Sequence, residues 1–293
     1  MTMLAESYSA ADTRKADRAG AEQPAPRPAA GARSGLRVPT LAISLLTGAA
    51  LIASWWLAAA LAVVSPVFLP SPAAVATSFW SLVTTGFVDS TLLQHLAASL
   101  GRVLAALAAA LVIGVPVGLL IAISRVGRGI LDPIVEFLRP LPPLAYLPLI
   151  IIWVGIGEAS KVTVIALSML PPIILSTSAG VRGVPRDFVN AARAFGATRR
   201  QLLARVLLPA ALPSILTGMR IALGTGWSTL VAAELVAATR GLGFMIQSAA
   251  QFLVTDIVIA GILVIAAVAF ALEWLARFIE RRFVPWADPG RNR

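Results

Sequence analysis

Apolar residues are collected into six long blocks along this chain, with shorter polar segments between them. The blocks cover residues 41–64, 97–123, 134–154, 162–178, 214–236 and 257–276. A helix of about 20 residues is long enough to cross the hydrocarbon core of a bilayer, and each block is close to that length. The pattern therefore predicts an all-α integral membrane protein with about six transmembrane helices.

Composition supports a membrane protein and excludes several other classes. Hydrophobic residues make up 58% of the chain and charged residues 13%, which is far from the usage of soluble domains. The net charge of +10 does not indicate nucleic acid as a partner, because the arginines fall in short clusters between apolar blocks. The chain has no cysteine and one histidine, His95, which excludes thiol chemistry and most zinc sites. We expect His95 to be a solvated or capping residue near the outer interface.

The basic residues alternate between loops, which predicts the topology. They precede block one, lie between blocks two and three and between four and five, and follow block six: Arg14, Lys15, Arg18, Arg27, Arg33, Arg37, Arg125, Arg128, Arg182, Arg186, Arg193, Arg199, Arg200, Arg205, Arg277, Arg281 and Arg282. Loops that carry Lys and Arg stay in the cytoplasm, so both termini are predicted to be cytoplasmic.

The two ends of the chain differ from the apolar blocks in composition. Residues 1–38 are rich in Ala, Pro, Arg and Gly without apolar periodicity, which predicts a disordered cytoplasmic tail. A transmembrane domain is expected over residues 39–284, and a cytoplasmic C-terminal tail over 285–293. The first block is longer than the core of a signal peptide and is interpreted as a retained helix.

Block three contains four prolines between residues 140 and 148. Each proline removes a backbone donor, and broken backbone at membrane depth is tolerated where protein or a water-filled cavity covers it. The favoured interpretation is a discontinuous helix beside a transport pathway. A re-entrant segment or a structural kink is the alternative. Pro171 and Pro172 predict a second break, in block four.

A polar segment, residues 184–209, lies between blocks four and five. Its pattern predicts a short helix over residues 187–195, with Gly196 as a left-handed stop. Thr198 heads a capping box that opens a second helix, and Pro209 closes that helix. Small side chains and two phenylalanines on the first helix favour a docking surface for a cytoplasmic motor protein; a solvated connecting loop is the alternative.

At this segment the chain resembles the permease subunits of bacterial ATP-binding-cassette importers. Their signature is Glu-Ala-Ala, three residues, Gly, nine residues, Ile, any residue and Leu-Pro. The chain has NAA at 190–192, Gly196 and VLLP at 206–209 with the same spacing. Asn190 replaces the glutamate and Val206 the isoleucine, so a specific salt bridge from position 190 is not expected, whereas the docking mode is.

Further motifs are similar to the taurine-permease branch of the sulfonate, nitrate and taurine group. They are RPLPPLA at 139–145, WVGIGE at 153–158, GWSTLVAAEL at 226–235 and AATRGLGFM at 237–245. This resemblance implies the type I importer permease fold in a bacterial inner membrane. It implies a homodimeric pore, two cytoplasmic ATPase subunits that bind ATP and Mg, and a periplasmic or lipid-anchored binding protein. The chain has no phosphate-binding Gly-rich loop of its own.

Candidate site residues are expected in three regions. The coupling loop that docks the ATPase comprises Phe188, Asn190, Ala191, Ala192, Phe195, Gly196, Ala197, Arg200 and Pro209. Candidates for the translocation pathway are Pro142, Tyr146, Trp227, Ser228, Thr229 and Glu234, and those for the binding-protein contact are Arg240, Gly241 and Gly243. Ser228 and Thr229 supply hydroxyl donors for an anionic group. Glu234 either attracts the ammonium group of taurine or pairs with Arg240.

The function implied is the pore subunit of an ATP-driven taurine importer that works by alternating access. Another alkanesulfonate, nitrate or a related small solute is the alternative substrate. A membrane-embedded enzyme would need converging carboxylates, histidines or a nucleophile with its base, and the sequence offers no such set. No catalytic or metal-binding residue is predicted. A channel is the third possible class, although the sequence has no polar motif that would form an ion-selectivity filter.

Overall fold

The computed structural model describes residues 40–287, and helices account for most of them. In chain order they are α1 (Thr40–Ala60), α2 (Pro72–Thr84), α3 (Leu92–Ile123), α4 (Arg125–Leu138), α5 (Pro143–Val154), α6 (Glu158–Arg182), α7 (Arg186–Ala194), α8 (Arg199–Leu202), α9 (Leu208–Ala237), α10 (Leu242–Gln251) and α11 (Thr255–Phe283). A 3₁₀ turn follows at Pro285–Ala287. The predicted tails, 1–38 and the part of 285–293 beyond residue 287, lie outside the described residues.

Five helices are long and apolar enough to cross a membrane, and a sixth span results if the bent pair α4 and α5 counts as one. The prediction of an all-α membrane fold with about six spans is confirmed. The chain divides into two compact units after Ile52. Of the first unit the structure describes residues 40–52, a helical segment whose side chains are mostly exposed. All contacts below lie within the second unit.

Helix α2 was not predicted. The first apolar block ends as a helix at Ala60, and the proline-rich connector leads into α2 through Ser71, whose Oγ accepts from Ala74 N at 3.2 Å. Pro72 suits the first helical turn because the N–H it lacks would have no partner there. Val75 and Leu82 are buried against α11, so this segment joins the core.

Asp256 contacts α2 as well. The hydroxyl of Ser78 on α2 donates to Asp256 Oδ2. Helix α11 begins at Thr255, so Asp256 lies inside its first turn. In this position it favours the positive end of the helix dipole.

Helices α3, α6 and α9 form the centre of the second unit, and small residues let them approach closely. On α3, Ala106 and Ala110 are fully buried, and Gly114 and Gly118 continue the same face. A Cβ on Gly118 would lie 2.5 Å from the backbone oxygen of Ile174 on α6. The four-residue spacing of small residues thus marks the α3–α6 contact, in the way that small residues do in other membrane helices.

We predict that Gly118→Ala destabilises the protein by about 1–3 kcal/mol, because a backbone oxygen must move to admit the methyl group. Gly101→Ala on the same helix is the control, since nothing lies within 4 Å of its Cβ position. That variant should stay within about 1 kcal/mol of the wild type. The two variants are compared by thermal unfolding of the purified protein, with size-exclusion chromatography as the readout of the fraction that stays folded. Equal unfolding midpoints for the two variants would contradict close α3–α6 packing at Gly118.

Block three is broken as predicted, whereas block four is continuous. Helices α4 and α5 meet at an angle of 108° across the proline-rich residues 139–142. Helix α6 instead runs through Pro171 and Pro172 without interruption, so the predicted second break is wrong. Close packing against α3 and α9 keeps this helix together although two backbone donors are missing.

Candidate functional site

The polar segment between the fourth and fifth blocks forms two short helices joined by a turn at Gly196. We call this helix–turn–helix, residues 186–202, the elbow. Helix α7 covers Arg186–Ala194, and Gly196 follows it with φ +77°, a left-handed value that glycine adopts without strain. Thr198 and Gln201 form the predicted capping box: Gln201 N donates to Thr198 Oγ1 at 3.3 Å, and Thr198 N to Gln201 Oε1 at 2.9 Å. Local chemistry therefore shapes the elbow.

None of the residues of α7 is buried. Phe188 is 62% exposed and Phe195 is 93% exposed, which is unusual for large aromatic side chains outside a lipid-facing surface. Of the other residues assigned to docking, Asn190, Ala191, Gly196, Arg200 and Pro209 are exposed and Ala192 and Ala197 half-buried. The segment presents an apolar knob at each end of a short helix, on a surface that also carries several exposed arginines.

Pro209 does not close the second helix, which corrects the prediction. Helix α8 passes into a π-helical segment, Leu203–Leu207, and then into α9, so the chain is helical from Arg199 to the end of the fifth span. Leu208 N donates to Leu203 O in this wider turn. A wide turn gives room for the proline ring, which in a regular helix would clash with the carbonyl four residues earlier. The polar segment is thus continuous with α9 through a helical backbone.

A cluster of four charged side chains connects α3, α6 and α9. Arg102 donates to Glu158 from Nη2 at 2.8 Å and to Glu234 from Nη1 at 2.6 Å. Lys161 Nζ donates to Glu158 at 2.8 Å. The side chain of Glu234 is 0% exposed and that of Arg102 5% exposed, so their charges are compensated inside the protein. Lys161 is 3% exposed, whereas Glu158 is 62% exposed, so the second carboxylate lies at the surface end of the cluster.

The loop between α9 and α10 is held by the same cluster. Arg240 O accepts from Arg102 Nη1 at 2.7 Å, and Gly243 N donates to Glu234 Oε2 at 2.8 Å. Gly241 has φ +136°, and a Cβ there would lie 2.4 Å from the Glu234 carboxylate. The three residues predicted to contact a binding protein therefore form a backbone turn fitted to buried charges.

His95 also holds the loop between α9 and α10, so the expectation of a solvated or capping histidine is wrong. The residue is 0% exposed. Its Nδ1 accepts from Gly241 N at 3.1 Å, and its Nε2 lies 3.1 Å from Phe87 O. The tautomer that fits both contacts carries its hydrogen on Nε2, which then donates to Phe87 O. His95 ties the loop before α3 to the loop before α10.

Three of the predicted pathway residues line one cavity of about 400 Å³ between the α4–α5 bend, α6 and α9. They are Tyr146, Ser228 and Thr229. Pro142 is not among the lining residues, although Leu141 and Pro143 beside it are. Ser228 is exposed, whereas Thr229 is buried and donates to Thr225 O at 2.9 Å. The broken helix therefore does border a cavity, as its prolines predicted.

Trp227 and Glu234 lie elsewhere. Trp227 is buried in the apolar core, and Glu234 belongs to the charged cluster, where its partner is Arg102 and not Arg240. Arg102 was missed by the sequence analysis, and so was Arg220, which pairs with Glu280 at 3.0 Å and Glu273 at 3.4 Å. Their position in the sequence could have identified them, because a lone ionisable residue inside an apolar block needs a partner.

Comparison with known proteins identifies similar chains. The model of the family described as "Binding-protein-dependent transport system inner membrane component" matches residues 114–285. The taurine transport system permease protein TauC of Escherichia coli (strain K12) is 55% identical over 245 residues, 83% of this chain and 89% of TauC. The bicarbonate transport system permease protein CmpB of Synechococcus elongatus is 36% identical over 226 residues, covering 73% and 81%.

A solved structure has a similar fold. A chain of the inward-facing MetNI methionine ABC transporter superposes with a TM-score of 0.60 and 23% sequence identity. The match covers 66% of this chain and 95% of that one. At this identity the likeness is one of fold, and it corresponds to the type I importer permease architecture.

Proposed function

This chain belongs to the family of binding-protein-dependent transport system inner membrane components, and we propose that it is the pore subunit of an ATP-driven taurine importer. The observation that carries the substrate is the 55% identity to TauC along most of both chains. The similarity to a bicarbonate permease is lower, at 36%, as expected when the substrate differs. The protein is a multi-pass membrane protein of the inner membrane and a transporter component.

The exposed elbow supports coupling to an ATPase. A helix with no buried residue and two exposed phenylalanines is suited to a groove on a partner protein. The π-helical joint makes α8 continuous with α9, and α9 packs along α6. A movement of the docked elbow would therefore be transmitted as a rigid body to the helices that border the cavity. ATP and Mg are proposed to bind to the partner ATPase subunits, not to this chain.

The remaining assembly follows from the alternating-access mechanism. Two copies of the chain form the pore, two ATPase subunits dock on the coupling loops in the cytoplasm, and a binding protein delivers taurine from the other side. The arginine-rich loops support a cytoplasmic location for both termini. The turn at Arg240, Gly241 and Gly243 is the proposed contact for the binding protein, and Tyr146, Ser228 and Thr229 face the pathway.

Other functions have less support. Another alkanesulfonate or nitrate is the closest alternative substrate. For a membrane-embedded enzyme, the charged cluster would have to be reactive, but Arg102, Glu158, Lys161 and Glu234 neutralise one another and hold a loop.

Reconstitution tests the proposal. The chain, its ATPase and its binding protein are placed in proteoliposomes, and uptake of radiolabelled taurine is followed with ATP inside or outside the vesicles. We expect uptake only when ATP is on the ATPase side, with competition by excess unlabelled taurine stronger than by ethanesulfonate or nitrate. ATP-dependent uptake of nitrate in place of taurine would overturn the substrate, and absence of any ATP-dependent uptake would overturn the transport function.

A further inference from the structure

The cavity beside the α4–α5 bend continues into a second one. The second has a volume of about 420 Å³ and shares four lining residues with the first: Arg139, Ser168, Pro171 and Thr225. Both volumes are in the range of small-molecule sites. Together they form a continuous space between the end of α4, the middle of α6 and the middle of α9.

Arg139 gives this space a positive charge. It is the one charged side chain among the residues that line either cavity, and no carboxylate lines them. Within residues 40–287, the arginines that form ion pairs are Arg102, Arg182, Arg220 and Arg277. Arg139 is in none of these pairs, and its side chain is exposed at the bend between α4 and α5. A guanidinium stays protonated at any physiological pH, so its charge is available to a mobile anion.

Polar groups of two kinds surround Arg139. The hydroxyls of Ser168, Thr225 and Ser228 donate to carbonyls of their own helices at 2.7, 3.0 and 3.2 Å, and a hydroxyl can rotate toward a ligand. Pro171 and Pro172 have no N–H, so α6 offers no regular helical donor to the carbonyls of Leu167 and Ser168. Leu167 and Ser168 line the first cavity together with Arg139.

We propose that this cavity is a transient binding site for small zwitterionic sulfonates, in which Arg139 binds the sulfonate. This inference rests on the proposed function and adds a selectivity site to the pore. A sulfonate has three acceptor oxygens that match the donors of a guanidinium and of hydroxyls. The ammonium group of taurine has donors only, and the hydroxyl oxygens of Ser168, Thr225 and Ser228 can accept from it.

Thiol labelling measures the charge of the cavity directly. The chain contains no cysteine, so Thr225→Cys and Ser228→Cys each introduce a single thiol into the lining. The probes are sulfonatoethyl methanethiosulfonate, an anionic sulfonate, and trimethylammonioethyl methanethiosulfonate, a cation of similar length. We expect the ratio of anionic to cationic labelling rates to fall about tenfold when Arg139→Gln is added to either variant.

Two further variants identify the cause. Arg139→Lys keeps the charge and should keep most of the preference for the anionic reagent. Arg125→Gln removes an exposed arginine of α4 that does not line the cavity, and it should leave the ratio unchanged. The proposal is overturned if Arg139→Gln leaves the ratio unchanged, if Arg139→Lys lowers it as much as Arg139→Gln, or if neither cysteine reacts, since the site must admit a molecule of this size.

Transport separates this site from the proposed function. In the reconstituted complex, Arg139→Gln should lower taurine uptake about tenfold while the ATPase still co-purifies, and Arg125→Gln should transport like the wild type. Labelling does not require transport. If the wild-type complex imports no taurine, the proposed function fails even where the charge preference is found. If it imports taurine and the labelling ratio is insensitive to Arg139, only the selectivity site fails.

Discussion

Replacing Arg102 with alanine should destabilise the fold by about 3–5 kcal/mol, the cost of leaving a buried charge without its partner. The variant removes the guanidinium that lies 2.6 Å from Glu234, whose side chain has no solvent exposure. It also removes a donor to Arg240 O and the cation nearest Glu158. We therefore expect the largest loss of melting temperature among single substitutions in the charged cluster, measured on the purified protein in detergent.

Arg277→Ala is the matched control for that experiment. Arg277 also pairs with a glutamate, Glu273 at 2.9 Å one helical turn away, but its side chain is 57% exposed. Exposed pairs of this kind contribute about 0.3–0.5 kcal/mol, so the control should melt close to the wild type. Arg102→Lys should fall between the two, because it keeps the charge but loses the forked geometry. Equal melting temperatures for Arg102→Ala and Arg277→Ala would show that the cluster does not hold the fold.

Replacing Gly196 with valine should abolish coupling while the membrane-spanning helices stay folded. A β-branched residue at φ +77° is strained by about 1–2 kcal/mol or more, and the chain relieves that strain by changing the angle between α7 and α8. Nothing lies within 4 Å of the Cβ position, so the effect comes from the backbone and not from a clash. Loss of about 1.4 kcal/mol in docking lowers affinity for the ATPase tenfold. Co-purified ATPase and ATP-dependent uptake are the two measurements.

Gly155→Val controls for backbone strain at another loop. Gly155 has φ +91° and open space at its Cβ position, but it lies between α5 and α6, away from the elbow. We expect it to lose a similar amount of stability and to retain the ATPase. If Gly196→Val co-purifies as much ATPase as the wild type, or if Gly155→Val loses as much as Gly196→Val, the elbow is not the docking element.

Elements governed by neighbouring residues were predictable. The elbow required only a glycine that can adopt positive φ and a Thr198–Gln201 capping box, and both form as the sequence indicated. The bend between α4 and α5 follows from prolines within five positions, 139–143, and the structure has it there. In each case the interacting atoms are at most a few residues apart, so the local pattern contains the cause.

Elements that depend on the surroundings were not predictable in this way. Prolines alone did not decide continuity: Pro171, Pro172 and Pro209 all lie in helices that continue, through neighbouring packing or a π turn. Ser71 and Pro72 supply a local start signal for helix α2, but its packing against α11 is a tertiary contact that the local pattern does not show. The cavity likewise requires three helices, and its single arginine stands out only once the lining is known.

The amino-acid pattern alone was sufficient for the class of protein, the approximate number of spans and the two short helices around Gly196, because bilayer thickness and helix-end chemistry act on contiguous residues. The long-range partners of buried polar groups were decided by tertiary structure. Glu234 pairs with Arg102 across 132 positions, and His95 accepts from Gly241 across 146. A buried charge or ring nitrogen must find a complementary group, but which one it finds depends on how α3, α6 and α9 pack, and small residues such as Gly118 set that packing.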